Sequence, residues 1–207
     1  MNKRKKIAIL SFLAVLLTAV LSIGAVIAYF SSKDTCTNNF KIGDIQTEIH
    51  ENFDQNTGEK EVWTVNPVDN DSLVRVSITV RLVDPEHPND VLPVNLDKVK
   101  LIFMDNYSEN WYKNDDGYYY YKKVLEGKGK TEPLLKKVEI DEAYKEENQG
   151  MEIKVDVKSE AVQVARYKEI NSSGQEEVKY VFNDTWIGIN DDIELQKILK
   201  EAVDSKY

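Results

Sequence analysis

The chain has 207 residues, with 27 Lys+Arg against 36 Asp+Glu, a formal net charge of −9, two His and one Cys. One Cys excludes an intrachain disulfide framework and any multi-Cys zinc site. The acidic balance argues against a nucleic-acid partner, because phosphate binding needs clustered Lys and Arg.

The charge is spread unevenly. Lys3, Arg4, Lys5 and Lys6 are the only charged residues of the first 28, and residues 7–30 carry no charge. A basic start followed by an apolar run reads as an export signal or an N-terminal anchor, and this run is long enough to span a bilayer. Val26-Ile27-Ala28 places a small β-branched residue and Ala at the two positions that define signal cleavage. Cleavage is expected between Ala28 and Tyr29, so residues 1–28 form the signal and membrane contact is confined to it. An uncleaved anchor is the alternative. Without the signal, 23 basic residues face 36 acidic ones, a net charge of −13.

Residues 29–39 are polar and lack core signals, so they are expected to be a mobile N-terminal segment. Beyond them, period-2 alternation dominates. Phe40-Lys41-Ile42 with Ile45, Thr47 and Ile49 predicts a first strand broken at Gly43, and Glu61–Val65 a second. Leu73–Val83 is the clearest strand. Val74, Val76, Ile78, Val80 and Leu82 point to the core, and Arg75, Ser77, Thr79 and Arg81 to a solvated face. Asp84–Pro93 reads as a Pro-rich loop containing His87, with a strand following at Val99–Met104. Gly117–Leu125 is aromatic and strand-like, and Val138–Ile140 is a short strand. Residues 141–150 read as an exposed loop or a short helical turn. Met151, Ile153, Val155 and Val157 alternate again through Val164, and Val178–Phe182 predicts another short strand.

One helix is predicted near the C-terminus. It is capped by Asp191 or Asp192, with Ile193, Ile198, Leu199, Ala202 and Val203 as its apolar stripe. Asn56-Thr57-Gly58, Asn66-Pro67, Asp69-Asn70-Asp71, Asp115-Asp116-Gly117 and Ser172-Ser173-Gly174 mark turns. Eight or nine strands at this spacing predict an all-β antiparallel sandwich with one short C-terminal helix, a single domain over residues 40–207.

The residues for familiar catalysis are missing from the pattern. His50-Glu51 begins a zincin-like motif, but Asp54 stands where its second His belongs. No Gly-rich phosphate loop occurs. Asp69-Asn70-Asp71, Asn114-Asp115-Asp116 and Asn190-Asp191-Asp192 offer calcium-type oxygen ligands without EF-hand spacing and read as turns and a helix cap. No catalytic residue, metal or cofactor is therefore expected. Tyr118-Tyr119-Tyr120-Tyr121 is either strand core or an exposed aromatic binding face.

The junction Ile27-Ala28-Tyr29-Phe30-Ser31-Ser32-Lys33, followed by Asn39-Phe40-Lys41-Ile42-Gly43-Asp44-Ile45, resembles the entry region of the TasA/camelysin family. Those biofilm matrix proteins are exported through the specialised signal peptidase SipW. Three further stretches fit the clostridial BsaA-like branch of that family: the Leu73–Val83 strand, Asn114–Leu125 with Thr131-Glu132-Pro133-Leu134-Leu135, and Ser159-Glu160-Ala161-Val162-Gln163. The resemblance implies a secreted, jelly-roll-like sandwich that polymerises into extracellular fibres or pili. In that scheme the N-terminal segment of one copy, including Tyr29 and Phe30, completes the sheet of the next. Asn39, Phe40, Ile42 and Gly43 form the entry to its first strand. Expected partners are other copies of the chain, SipW and minor fibre subunits.

The same resemblance implies covalent Lys–Asn links between subunits. Lys41 and Asn183, with Asp184 as the adjacent acid, are the candidates. Cys36, in the mobile segment, is a candidate for an intermolecular thiol link. The rival functions are a surface adhesin or fibre tip using the Tyr118–Tyr121 face, and a camelysin-like metallopeptidase.

Overall fold

The structure, a computed structural model, describes residues 45–54 and 57–207. All of them belong to one compact unit, Gly43–Tyr207. Ala28, Tyr29, Phe30, Cys36, Asn39, Phe40, Lys41, Ile42 and Gly43 lie outside the described residues, as does the signal segment.

The unit is mostly β-structure. The first sheet is antiparallel and four-stranded, in the order β1 (Glu48–Phe53), β2 (Glu59–Val65), β8 (Leu135–Ile140), β5 (Val99–Phe103). The second sheet is five-stranded and organised around β3 (Ser72–Asp84). Along one edge β3 pairs with β9 (Glu152–Gln163). Along the other it pairs with β7 (Tyr118–Tyr121) and, near its end, with β4 (His87–Leu92). The strand β6 (Trp111–Lys113) adds to β7. A separate hairpin joins β10 (Arg166–Ile170) to β11 (Glu176–Tyr180).

Alternation explains how the sheets pack. Val62, Val99, Leu135 and Val138 of the first sheet bury their side chains against Val80, Ile153, Val155 and Val157 of the second. Val74 and Val76 continue this interior with Trp111, Tyr119, Tyr121 and Leu134. A third cluster lies on the opposite face of the second sheet. There Leu73, Tyr120 and Val162 pack under α3 (Val181–Thr185), a 3-10 turn (Ile189–Asp191) and α4 (Ile193–Asp204). Leu195 and Leu199 of α4 are fully buried in it, each contributing roughly 1.5–3 kcal/mol. Among the described residues, all three clusters draw only on residues 49–203.

Several expectations are corrected by this arrangement. The predicted loop at Asp84–Pro93 contains β4. Pro88 is tolerated there because β4 pairs on one side only, with the end of β3. Two further elements precede β7: α1 (Tyr107–Asn110) and β6. Of the two alternatives for 141–150, a loop or a short helical turn, the helical one is found: α2 (Glu142–Glu147) is capped by Asp141, whose side chain accepts a hydrogen bond from the Tyr144 amide. The last predicted strand ends at Tyr180, and Phe182 belongs to α3. Asp192 is the cap of α4, accepting from the Leu195 amide at 2.9 Å. Ile193, assigned to the apolar stripe of α4, is 86% exposed, and Leu195 takes the buried position. The face of β3 expected to be solvated is covered at its start, where Leu73 is buried under the helical cap.

Candidate functional site

The strands β1 and β9 are edge strands of different sheets on the same side of the sandwich. The Thr47 and Ser159 hydroxyls meet at 2.8 Å and pin the two edges together at one end. Toward Phe53 and Glu152 the edges enclose an open groove of about 1080 Å³. Val138 and Ile140 line it from the first sheet, Ile153 and Val155 from the second, and Tyr144 of α2 closes its end. Among the described residues, no strand pairs with the outer edge of β1 or of β9.

The groove has aliphatic side chains on its walls, but polar and charged groups make up the larger part of its lining. Lys60 sits on an inward position of β2 and is only 6% exposed. Its ammonium pairs with Glu51 and lies 5.3 Å from the centre of the Phe53 ring. Phe53 itself is 57% exposed, an apolar side chain left at the mouth with half its surface in water. Around the rim the charges are mixed, with Glu142 bonded to Lys145 and Glu152 to Lys154. On the outer face of the second sheet Arg81 pairs with Asp156, and that hydrogen bond holds the Asp156 carboxyl below its usual range. This surface offers main-chain hydrogen bonding along two edges that are free among the described residues, and a mixed polar and aliphatic groove between them. It suits an extended polypeptide better than a small polar ligand.

The Tyr run is core rather than a binding face. Tyr119 and Tyr121 pack between the sheets, Tyr120 packs under the helical cap, and only Tyr118 keeps partial exposure. Burial raises the hydroxyl of Tyr119 to about 12. Tyr120 and Tyr121 are pushed higher by burial, reinforced by bonds to Asp116 and Glu132. The Asn183 carbonyl accepts a hydrogen bond from the Gln196 amide at 2.7 Å, and Asp184 accepts from the Tyr167 hydroxyl at 2.8 Å. Their candidate partner, Lys41, lies outside the described residues. His50 stacks on Trp63 and bonds Glu48, while His87 bonds Asp84.

The acidic clusters serve as turns and a cap. Asp71 accepts from the Gly127 amide, and Asp116 accepts from the Tyr118 amide and the Tyr120 hydroxyl. Among the described residues, no group of three or more His, Cys, Asp or Glu is placed to hold a metal ion.

Two features escaped the sequence reading. Lys60 occupies an inward position next to Val62, ahead of the predicted strand Glu61–Val65, and alternation gave no sign that a charge would sit there. Arg75, expected in solvent, lies 4.0 Å from the centre of the Tyr118 ring and 5.2 Å from that of Trp186. It donates to Glu160 at 2.8 Å and to the Tyr120 hydroxyl at 3.1 Å. The aromatic alternation on β7 was the available signal, because Tyr118 and Tyr120 must share a face with whatever β3 places opposite them.

No protein-family model, curated protein or solved structure matches this chain. The functional reading therefore rests on its own residues and on the resemblance carried by the Ile27–Ile45 junction and the later stretches up to Gln163.

Proposed function

We propose that this chain is a secreted structural subunit of extracellular matrix fibres, built as a jelly-roll-like sandwich that accepts a strand from a neighbouring copy. The observation that carries the proposal is the open side of the sandwich. A groove with aliphatic side chains among a largely polar lining lies between two sheet edges that are free among the described residues, and the described chain begins on that same side, through Thr47 and β1. The segment preceding β1 is the donor: residues 29–39, continuing into Asn39-Phe40-Lys41-Ile42-Gly43.

Main-chain pairing supplies affinity in such an exchange, and alternate side chains enter the slot. A head-to-tail contact that does not close on itself generates a filament. Signal cleavage by SipW acts as the trigger, because a segment tethered to a membrane is not free to enter another subunit. The net charge of −13 in the mature chain limits unspecific association until a strand is supplied.

The adhesin reading loses its surface, since the Tyr run is largely buried. The metallopeptidase reading lacks a residue set, since Asp54 stands at the second His position of the motif. The test compares residues 29–207 with residues 40–207 by electron microscopy. The longer chain is expected to form fibres and the shorter one to remain a folded monomer or small oligomer. Fibres from the shorter chain overturn strand exchange through residues 29–39. A loss of ammonia per subunit in the mass of the fibres marks a Lys41–Asn183 link, and complete dissociation in detergent removes it.

A further inference from the structure

We propose that the edge of β9 that is unpaired among the described residues docks a second copy of this chain, with the two β9 strands pairing antiparallel about a two-fold axis at Val155. The proposal goes beyond fibre formation and starts from the regularity of the edge. β9 pairs with β3 over twelve consecutive residue pairs, from Ser72↔Gln163 to Val83↔Glu152, with no register shift. It contains no Pro and no Gly. Natural edge strands are usually interrupted by bulges, Pro or brevity, which prevent pairing with another chain. β9 has none of these interruptions.

The outward side chains of β9 define a register. Glu152, Lys154, Asp156, Lys158 and Glu160 alternate in sign along one face. With the axis at Val155, Glu152 opposes Lys158 of the second copy and Lys154 opposes Asp156, each pair occurring twice by symmetry. Moving the axis to Asp156 sets Glu152 against Glu160, Lys154 against Lys158 and Asp156 against itself, so every pair repels. An axis at Val157 also matches unlike charges, but it uses the strand beyond Ser159, where β1 is pinned by the Thr47 hydroxyl. The Val155 register needs only residues 152–158, the stretch before that pin. On the inner side it places Val155 against Val155 and Ile153 against Val157, and it joins two five-stranded sheets into one. The dimer occupies the edge that strand exchange assigns to the incoming strand, so it holds subunits back from the fibre.

The test uses sedimentation equilibrium at low salt on residues 40–207, which keep the three described core clusters and lack residues 29–39. A reversible dimer forming below about 1 mM is expected. Lys158→Glu and Glu152→Lys each convert both copies of one attractive pair into a repulsive pair and should weaken the dimer at least about tenfold. The double variant restores the attraction with reversed polarity and should return the dimer to within about threefold of the parent. Both positions are exposed, and unchanged thermal midpoints confirm folding.

A monomer at 1 mM overturns the proposal, as do single variants without effect or a double variant no better than the singles. A chain that dimerises only after residues 40–44 are also removed assigns the edge to its own N-terminal segment and overturns it equally. Fibre growth by residues 29–207 is scored separately, so the dimer and strand exchange stand or fall independently.

Discussion

Replacing Arg75 by Met removes a guanidinium that joins β3 to Glu160 of β9 within the second sheet and stacks on Trp186 beside the C-terminal cap. The Arg75 side chain is 11% exposed, and its guanidinium reaches the Glu160 carboxylate at 2.6 Å. Hydrogen bonds to a charged group contribute about 1.5–3 kcal/mol, and stacking on Tyr118 and Trp186 adds about 0.5–2 kcal/mol. Two features offset part of the loss. The Glu160 side chain is 43% exposed and regains water when Arg75 is gone, and the Tyr120 hydroxyl keeps its bond to Asp116. Met also restores apolar contact with the rings. The expected net loss is about 2–3 kcal/mol, or a fall of about 5–10 °C in the unfolding midpoint for a unit of this size. Thermal unfolding followed by tryptophan emission reads the effect directly, because Trp186 packs edge-on against Tyr120 with ring centres 5.5 Å apart. A double-mutant cycle with Glu160→Gln should give a coupling of about 1–2 kcal/mol. A midpoint within about 1 °C of the parent, or additive effects of the two substitutions, refutes the claim that this ion pair stabilises the second sheet beneath the cap.

Three further outcomes follow from the same structure. Tyr112 is raised to about 12 by burial and its bond to Asp192, and Tyr119 to about 12 by burial. Because these folded values lie above the unfolded value near 10, their stabilising contribution is complete below about pH 10 and is lost as pH rises through the folded values. Phenolate absorption should therefore appear in two phases, the second coinciding with unfolding, and a single phase near pH 10 in a folded chain would contradict the burial of the Tyr run. Asp192→Ala removes both the cap bond to the Leu195 amide and the Tyr112 bond, each 2.9 Å; it should cost about 2–3 kcal/mol in urea unfolding, and a loss below about 0.5 kcal/mol would refute the capping role. A Cβ at Gly127 lands 2.1 Å from the Asp69 carbonyl oxygen, so Gly127→Ala should cost about 1–3 kcal/mol through displaced backbone, and a neutral effect would show that the approach of these two loops is not constrained.

The strands most legible in the sequence are those whose pattern is local. β3 and β9 alternate apolar and polar residues over most of their length, and a period of two follows directly from the pleat. The Asp192 cap and the helix behind it were equally readable, since a cap acts within three residues of itself. β4 was missed because Pro88 argues against a strand when neighbours are unknown, and only pairing with the distant end of β3 makes the segment extended. Ile193 was misplaced because a helical stripe tells which residues share a face, while the docking of α4 on Leu73 and Val162 decides where the buried face ends.

The same division runs through the functional surface. By itself the sequence determined a β-rich unit with an acidic surface, an apolar segment ahead of it and no familiar catalytic motif. Tertiary structure decided that Arg75 is enclosed and Tyr120 is core. It also decided that β1 and β9, about a hundred residues apart, present two edges that are free among the described residues around one groove. Alternation is written into each strand by its own backbone geometry, whereas exposure of a face or an edge depends on which other segment arrives to cover it.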